Sequence, residues 1–258
     1  MKYNVLIRFF EFWASRGEMS YLLFPPPKPR VRRSFAPHIY SRDELRALFR
    51  ALDRGRETHI LIGRDTMRTL MLLLYGTGAL LGEAISLRLE DVDLENRKIS
   101  IKNRISTRSR QIPICDDLCN ILHRYLKWRS KNKFVNSHFF VDRRDEPVRI
   151  SPVEKKFCRL RKSASISREL SASFQPRLQD LKCTFAVHRI TSWIRNGTDL
   201  NRMLPALAAY MGQRLGSTER YFQLTPERFK KQLKKLSPQG YKRHWRNDRE
   251  LMEFLASL

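Results

Sequence analysis

The first helical pattern of apolar and polar residues lies near the start of the chain. Ile7, Phe10 and Trp13 are three residues apart, the spacing of one helix face, and predict an amphipathic helix over residues 3–16. A single helix cannot bury its own apolar face. Residues 1–24 are therefore interpreted as the remnant of a larger N-terminal domain or as a docking arm.

Residues 25–37 have the composition of a linker. Between positions 25 and 33 lie four prolines, three arginines and one lysine. Proline removes backbone donors and holds the chain extended, and the basic side chains keep it solvated. A new folded unit is therefore expected to begin near residue 38.

Two helices and a short third one are predicted after the linker. Ser41 and Glu44 have the spacing of a capping box, in which each side chain accepts a hydrogen bond from the other residue's backbone N–H. Residues 66–75 form a second, far more apolar helical pattern, and the core is expected to centre on it. A glycine-rich break then precedes a short helix that carries Glu83 and Leu87.

The period of the pattern changes to two after residue 91. Short alternating runs at residues 92–94, 98–102 and 111–114 predict a small antiparallel meander. Helical spacing then returns. The later predicted helices run from an N-cap at Asp116 or Asp117 to residue 128, from an N-cap at Ser151 through residue 160, and over residues 181–195, 204–211 and 217–223. The pattern thus predicts a mainly α fold with one small three-stranded antiparallel β meander.

Composition and charge restrict the class of partner. The 258 residues include 41% hydrophobic side chains, enough for a core, which excludes wholesale disorder. Lys and Arg number 51 against 26 Asp and Glu, so the formal charge is +25, and nucleic acid is favoured over a membrane surface. The early apolar stretch at residues 5–13 is broken by Arg8 and Glu11, which fits neither a spanning helix nor a signal peptide. We therefore expect a cytoplasmic protein.

The four cysteines give no sign of a metal site or a disulfide framework. Cys115, Cys119, Cys158 and Cys183 include no C-x-x-C pair and have no histidine at zinc-finger spacing. We expect four small buried thiols and no bound metal.

Four boxes in the sequence point to a particular chemistry. Residues 77–93 have the sequence TGALLGEAISLRLEDVD, and residues 179–186 have the sequence QDLKCTFA. Residues 204–213 have the sequence LPALAAYMGQ, and Tyr221 follows eight positions later. In this order the boxes resemble T-G-x-R-x-x-E-x-x-x-L-x-x-x-D-x-D, H-x-L-R-H-T-F-A, the L-G-H box and the nucleophilic tyrosine of the tyrosine recombinases, the phage integrase family. The resemblance covers residues 38–230.

The resemblance implies a domain organisation and partners. Residues 38–236 would form the family's catalytic-like domain, and residues 237–258 a C-terminal tail. Residues 1–24 would be what remains of the DNA-clamping domain. Double-stranded DNA and sister recombinase subunits are the implied partners, at a nucleoid-associated location.

The resemblance also implies a reaction. In this family a tyrosine attacks a DNA phosphodiester and forms a 3′-phosphotyrosine link, which a 5′-hydroxyl resolves without a metal, ATP or other cofactor. Two arginines and one or two histidines donate hydrogen bonds to the phosphorane oxygens. A lysine on the meander turn protonates the leaving oxygen.

Most of the family's donor positions carry other residues in this chain. The two arginine positions fall on Leu80 and Lys182, and the two histidine positions fall on Gln179 and Gln213. Only Tyr221 is kept. Loss of one donor to a developing oxyanion costs about 10²- to 10³-fold in rate, so impaired cleavage is expected.

The meander lysine has no clear counterpart. Counting back from Pro113 reaches Arg104, Ile105 or Arg108, whereas Lys102 lies a few residues too early. The general acid therefore stays unassigned at this point.

The remaining charged candidates have different expected roles. Glu83 is expected to be a buried carboxylate that orients its neighbours, whereas His188 is expected to be an ordinary surface or core histidine. Arg104, Arg108 and Arg110, together with Lys182, are expected to contact DNA phosphates.

The leading hypothesis is a DNA-binding, recombinase-like protein of a mobile element, associated with DNA integration and site-specific recombination, with impaired catalysis. One alternative is an active recombinase in which Lys182 and an unrecognised arginine complete the site. Another is a non-catalytic regulatory or structural partner of an active recombinase.

Overall fold

The computed structural model describes residues 2–18, 37–55, 61–102, 109–168 and 174–213, together with Thr218, Tyr221 and Leu224. It divides into two compact units, Met1–Phe35 and Ala36–Leu258. The first unit contains helix α1 (Lys2–Ser15). The second contains, in chain order, α2 (Arg42–Arg54), α3 (Arg64–Thr77), α4 (Leu81–Ile85), a 3-10 turn (Leu89–Asp91), β1 (Val92–Asp93), β2 (Lys98–Lys102), β3 (Ser109–Pro113), α5 (Asp116–Lys131), α6 (Ile150–Ser163), α7 (Asp180–Arg195) and α8 (Leu200–Met211). The mainly α fold with a three-stranded meander is confirmed.

Helix α2 begins at the predicted capping box. The Ser41 hydroxyl accepts a hydrogen bond from the Glu44 backbone N–H at 3.1 Å, and the Glu44 carboxylate accepts one from the Ser41 N–H at 2.6 Å. Two otherwise unpaired donors are thereby satisfied, and the helix start is fixed.

Helices α5 and α6 begin differently from the prediction. The N-cap of α5 is Cys115, and Asp116 and Asp117 lie in its first turn, where their charges face the positive end of the helix. Helix α6 begins at Ile150, so Ser151 is inside the helix and is not its N-cap. In both cases the start moves by one or two residues, within the ordinary fraying of helix ends.

Helix α8 begins at Leu200 and not at residue 204. Asp199 is its N-cap, and its carboxylate accepts a hydrogen bond from the Asn201 backbone N–H at 2.9 Å. Pro205 lies within the helix.

The core centres on α3, as predicted. Met67, Leu70 and Met71 have no exposed surface, and α3 packs against α5 and α7. A second buried cluster lies along α7 and α8. Its members are Ile39, Cys183, Phe185, Ala186, Val187, Ile190, Leu207, Met211 and Tyr221.

The meander has strand order β1-β2-β3, with each neighbouring pair antiparallel. Ile99 pairs with Ile112, and Ile101 pairs with Arg110. This register brings Arg110 of β3 toward α8, which contacts the strand.

Several predicted features lie outside the described residues. They are residues 25–36 of the linker, Arg104, Ile105 and Arg108 of the basic turn, and the tail at 237–258. Of the predicted helix at 217–223, Thr218 and Tyr221 are described, and both are helical. Within the described ranges, no helix has the length and apolarity needed to cross a membrane.

The prediction of four buried thiols is wrong for two of them. Cys119 and Cys183 are buried, whereas Cys115 and Cys158 are exposed. Cys115 stands just before α5 as its N-cap, and Cys158 lies on the outer side of α6, next to the buried Phe157. Among the described residues, no group of three or more His, Cys, Asp and Glu is placed to hold a metal ion.

Candidate functional site

Gly78 brings the first box against the second and third boxes. It ends α3 in the left-handed conformation, with φ of +62°, which favours glycine. A Cβ at this position would lie 2.7 Å from a ring carbon of Phe185 on α7 and 3.2 Å from the terminal methyl of Met211 on α8. The close approach of three elements therefore requires a residue without a side chain.

Glu83 lies partly buried in the short helix α4. Its carboxylate accepts a hydrogen bond from the Leu80 backbone N–H at 2.8 Å and a bidentate pair from Arg110, at 2.7 and 2.9 Å. Burial alone would raise the pKa of Glu83. The hydrogen bonds from Arg110 and Leu80, with the charges of Arg110 and Lys182, outweigh burial and lower that pKa.

Arg110 turns into the protein. Besides pairing with Glu83, its Nε donates to the Tyr210 carbonyl at 3.2 Å, and its guanidinium packs against Gly212. Only 17% of the side chain is exposed, so the phosphate contact expected of Arg110 would compete with these internal partners. The sequence could have indicated this inward orientation, because residues two apart in a strand share a face and Ile112, two positions along β3, is buried.

Lys182 is a buried cation on α7. Its side-chain ammonium donates a hydrogen bond to the Met211 carbonyl at 3.2 Å. Burial lowers the pKa of Lys182 to about 8, and the charge of Arg110 acts in the same direction, whereas the charge of Glu83 opposes it. Because Arg110 neutralises Glu83, Lys182 supplies the net positive charge of the cluster formed by Glu83, Arg110 and Lys182.

Tyr221 lies in the second buried cluster, which also contains Cys183 and Met211. It is 3% exposed, and its hydroxyl donates to the Gln213 side-chain oxygen at 3.2 Å. It also shares a hydrogen bond with the Cys183 thiol, next to Lys182 in the sequence. Burial, together with Cys183, raises the pKa of Tyr221 to about 12.

The four substituted donor positions have different environments. Leu80 is 49% exposed at the start of α4, and Gln179 is exposed at the start of α7. Lys182 is buried, and Gln213 directly follows the left-handed Gly212. Shared hydrogen bonds connect Lys182 to the end of α8, and Gln213 to Tyr221.

His188 and Lys102 have other partners. The Nδ1 atom of His188 lies 2.9 Å from the hydroxyl of Tyr75. The ammonium of Lys102 lies 2.7 Å from the buried Asp91 carboxylate and 3.4 Å from Glu90, and the hydrogen bond to Asp91 raises the pKa of Lys102.

Comparison with known proteins gives the family. The model of the phage integrase family matches residues 40–228. A protein of Sinorhizobium fredii named integrase/recombinase y4rB is 28% identical over 217 residues, which is 82% of this chain and 68% of that protein. Tyrosine recombinase XerC of Staphylococcus carnosus is 24% identical, over 89% of this chain and 72% of that protein.

Solved structures share the fold. The crystal structure of XerA recombinase aligns with a TM-score of 0.59 at 23% identity, over 89% of this chain and 73% of that one. XerH bound to its palindromic difH substrate, in a post-cleavage complex, aligns with a TM-score of 0.63 at 19% identity, over 88% of this chain and 64% of that one. The family model spans most of this chain, including the cluster around Glu83, Lys182 and Tyr221. The chain therefore belongs to the phage integrase family of tyrosine recombinases.

Proposed function

We propose that this protein binds double-stranded DNA in recombination and that its own strand-cleavage chemistry is impaired. The observation that carries the proposal is the partnership of Arg110 with Glu83. The family's first arginine position is Leu80, whose side chain has no donor. The guanidinium of Arg110, which lies in the same site, is already paired with the Glu83 carboxylate. We further propose that it takes part in DNA integration as a protein of a mobile element; the similarity to the Sinorhizobium fredii integrase/recombinase supports the part in integration.

The state of the proposed nucleophile supports low activity. With a pKa raised to about 12, the phenol of Tyr221 is ionised in about one molecule in 10⁵ at pH 7, a hundredfold less than an ordinary tyrosine. Attack on phosphorus then depends on donors that stabilise the transition state. Lys182 is the candidate donor that the described cluster retains, and a lysine offers a point charge where arginine offers a fork.

The cluster still suits recognition of a phosphate. Lys182 is a buried cation whose charge is only partly balanced, because Arg110 already neutralises Glu83. An approaching DNA phosphate would restore to Lys182 the interactions that burial removes. Partners proposed on this basis are double-stranded DNA and sister recombinase subunits. XerH and lambda integrase are solved with DNA, and the latter as a dimer.

Strand cleavage is tested by trapping the covalent intermediate. The protein is incubated with a pool of labelled duplexes that have a randomised core and a central nick, and DNA that stays bound to protein in detergent is measured. We expect no adduct above the level of a Tyr221→Phe control. An adduct that the Tyr221→Phe change removes would show the protein to be an active recombinase.

DNA binding is tested by its dependence on salt. Each neutralised phosphate contributes about −0.9 to the slope of log affinity against log salt concentration. With a formal charge of +25, the protein is expected to show a steep negative slope on random-sequence duplex. An affinity that does not change between low and physiological salt would contradict the proposed phosphate contacts.

A further inference from the structure

The side chain of Arg110 joins the meander to two elements that carry separate boxes of the site. It starts from β3, its two terminal nitrogens bind the Glu83 carboxylate of α4, and its Nε binds the Tyr210 carbonyl at the end of α8. Bidentate pairs between arginine and a carboxylate fix geometry as well as supplying energy. The pair with Glu83 thus fixes the Arg110 guanidinium, and the Nε of Arg110 in turn binds the end of α8.

The chain turn after α8 is shaped to this guanidinium. Gly212 has φ of +63°, and a Cβ at this position would lie 2.6 to 3.0 Å from three atoms of the Arg110 guanidinium. Such distances exclude a side chain at this position unless Arg110 moves. The glycine is therefore required twice, by its backbone conformation and by the packing of Arg110.

Two cations bind the last carbonyls of α8. Helix ends leave carbonyl groups unpaired, and positive charges there are favourable. The Tyr210 carbonyl accepts from Arg110, and the next carbonyl, of Met211, accepts from Lys182. Two side chains thus fix the helix end, two residues before Gln213. The side-chain oxygen of Gln213 accepts a hydrogen bond from the Tyr221 hydroxyl.

We propose that Arg110 is a positioning residue for Tyr221. Glu83 orients Arg110, Arg110 fixes the end of α8 and Gly212, and this turn sets where Gln213 receives the tyrosine hydroxyl. The role rests on the proposed function in that Tyr221 occupies the nucleophile position, but it is a property of the protein without DNA.

A positioning role and a purely stabilising role make different predictions. If Arg110 only stabilises the fold, its loss weakens both buried clusters together. If it fixes the turn after α8, its loss opens the contact between Tyr221 and Cys183 while the main core stays closed.

Two buried thiols make this difference measurable. Cys183 is 8% exposed in the cluster that holds Tyr221, and Cys119 is 7% exposed in the main core cluster. A thiol reagent such as DTNB modifies buried cysteines only when the surrounding structure opens, and peptide mass analysis identifies the modified residue. In the Arg110→Gln variant, we expect modification of Cys183 to be roughly tenfold faster or more, as loss of a charge-assisted hydrogen bond predicts, with Cys119 unchanged.

Two further variants complete the experiment. Arg110→Lys retains the charge but not the bidentate pair, and an intermediate rate at Cys183 is expected. Arg97→Gln removes an exposed arginine of the same meander, which pairs with Asp116 at the surface, and no change is expected. A rate at Cys183 that does not change in Arg110→Gln, or an equal rise at Cys119, would overturn the proposal. The readout needs no DNA, so failure of the proposed DNA function would leave this result untouched.

Discussion

Replacing Leu80 with arginine is expected to raise the rate of covalent DNA attachment by about 10²-fold, the effect of supplying one preorganised donor to the transition-state oxygens. Leu80 is 49% exposed at the start of α4, so the surface has room for a longer side chain. The neighbouring Glu83 is already paired with Arg110, which leaves the new guanidinium available for a phosphate. The measurement is the detergent-resistant adduct with nicked duplexes described above.

A matched control separates donation from added charge. Leu89→Arg changes another exposed leucine of the same box, 42% exposed, and adds the same charge to the protein. It is expected to strengthen DNA binding slightly and to leave the adduct at the level of the parent protein. An equal rise in both variants would mean that charge alone is responsible.

The full set of substitutions extends the same test. The variant Leu80→Arg, Gln179→His, Lys182→Arg and Gln213→His restores all four donor positions, and a larger rise is expected. The gains will not multiply, because residues of one catalytic unit act together. The adduct must disappear when Tyr221→Phe is added. If the fourfold variant folds, binds DNA and still forms no adduct, missing donors are not the reason for low activity.

The boxes and the periodicity together predicted the fold, and the glycines of two boxes combine a backbone requirement with a packing requirement. Gly78 illustrates this point. The T-G pair was identifiable in the sequence as part of a box, and the structure shows that the glycine allows Phe185 and Met211 to approach the end of α3. The capping box at Ser41 is a similar case, since it depends only on residues three apart.

The partnership of Arg110 was beyond the sequence argument for a physical reason. Alternation along β3 places Arg110 on the inner side with Ile112, yet an inward arginine requires an acceptor, and Glu83 is 27 positions away in the sequence. Only the register of the meander against α4 and α8 brings the two together. The role of Arg110 therefore had to come from the structure.

The burial of Lys182 was likewise not predictable from the sequence. Its box position indicated a partial replacement for arginine at a DNA-facing site, whereas the structure places its ammonium in the protein on the Met211 carbonyl. Helical periodicity does not reveal the burial of Lys182, because all of the first eight residues of α7 are buried and no exposed face alternates with a buried one. Burial on this scale gives Lys182 a cost to stability that can be measured.

Lys182→Met is expected to make the protein more stable and to weaken its binding to DNA. Burial lowers the pKa of Lys182 to about 8 from its ordinary value of 10.5, so folding at neutral pH carries a penalty of roughly 2 to 4 kcal/mol for this charge. Methionine has a similar length and no charge. Allowing for the lost hydrogen bond to Met211, a gain of about 1 to 3 kcal/mol in the free energy of unfolding is expected.

The pH dependence gives the sign of this effect. Between pH 8 and 10.5 the unfolded chain keeps the Lys182 proton while the folded chain has released it, so the parent protein gains stability as pH rises through this window. Below pH 8 both states are protonated and the penalty is constant. The advantage of Lys182→Met, measured by denaturant unfolding, is therefore expected to shrink steadily between pH 8 and 10.5. An advantage that does not change with pH would exclude the buried charge as its source.

DNA affinity should change in the opposite direction. At pH 7 the Lys182→Met variant is expected to bind random-sequence duplex roughly 10- to 100-fold more weakly, the loss of a charge-assisted contact to one phosphate. Lys127→Met, which removes an exposed lysine of α5, is the control for charge and is expected to change neither stability nor affinity appreciably. A variant that is more stable and binds DNA as well as the parent would make Lys182 a relic of the family site without a phosphate to bind. The combination of higher stability and weaker binding is what a cation retained in the interior for a ligand must show, because its burial costs the fold more than its hydrogen bond to Met211 returns.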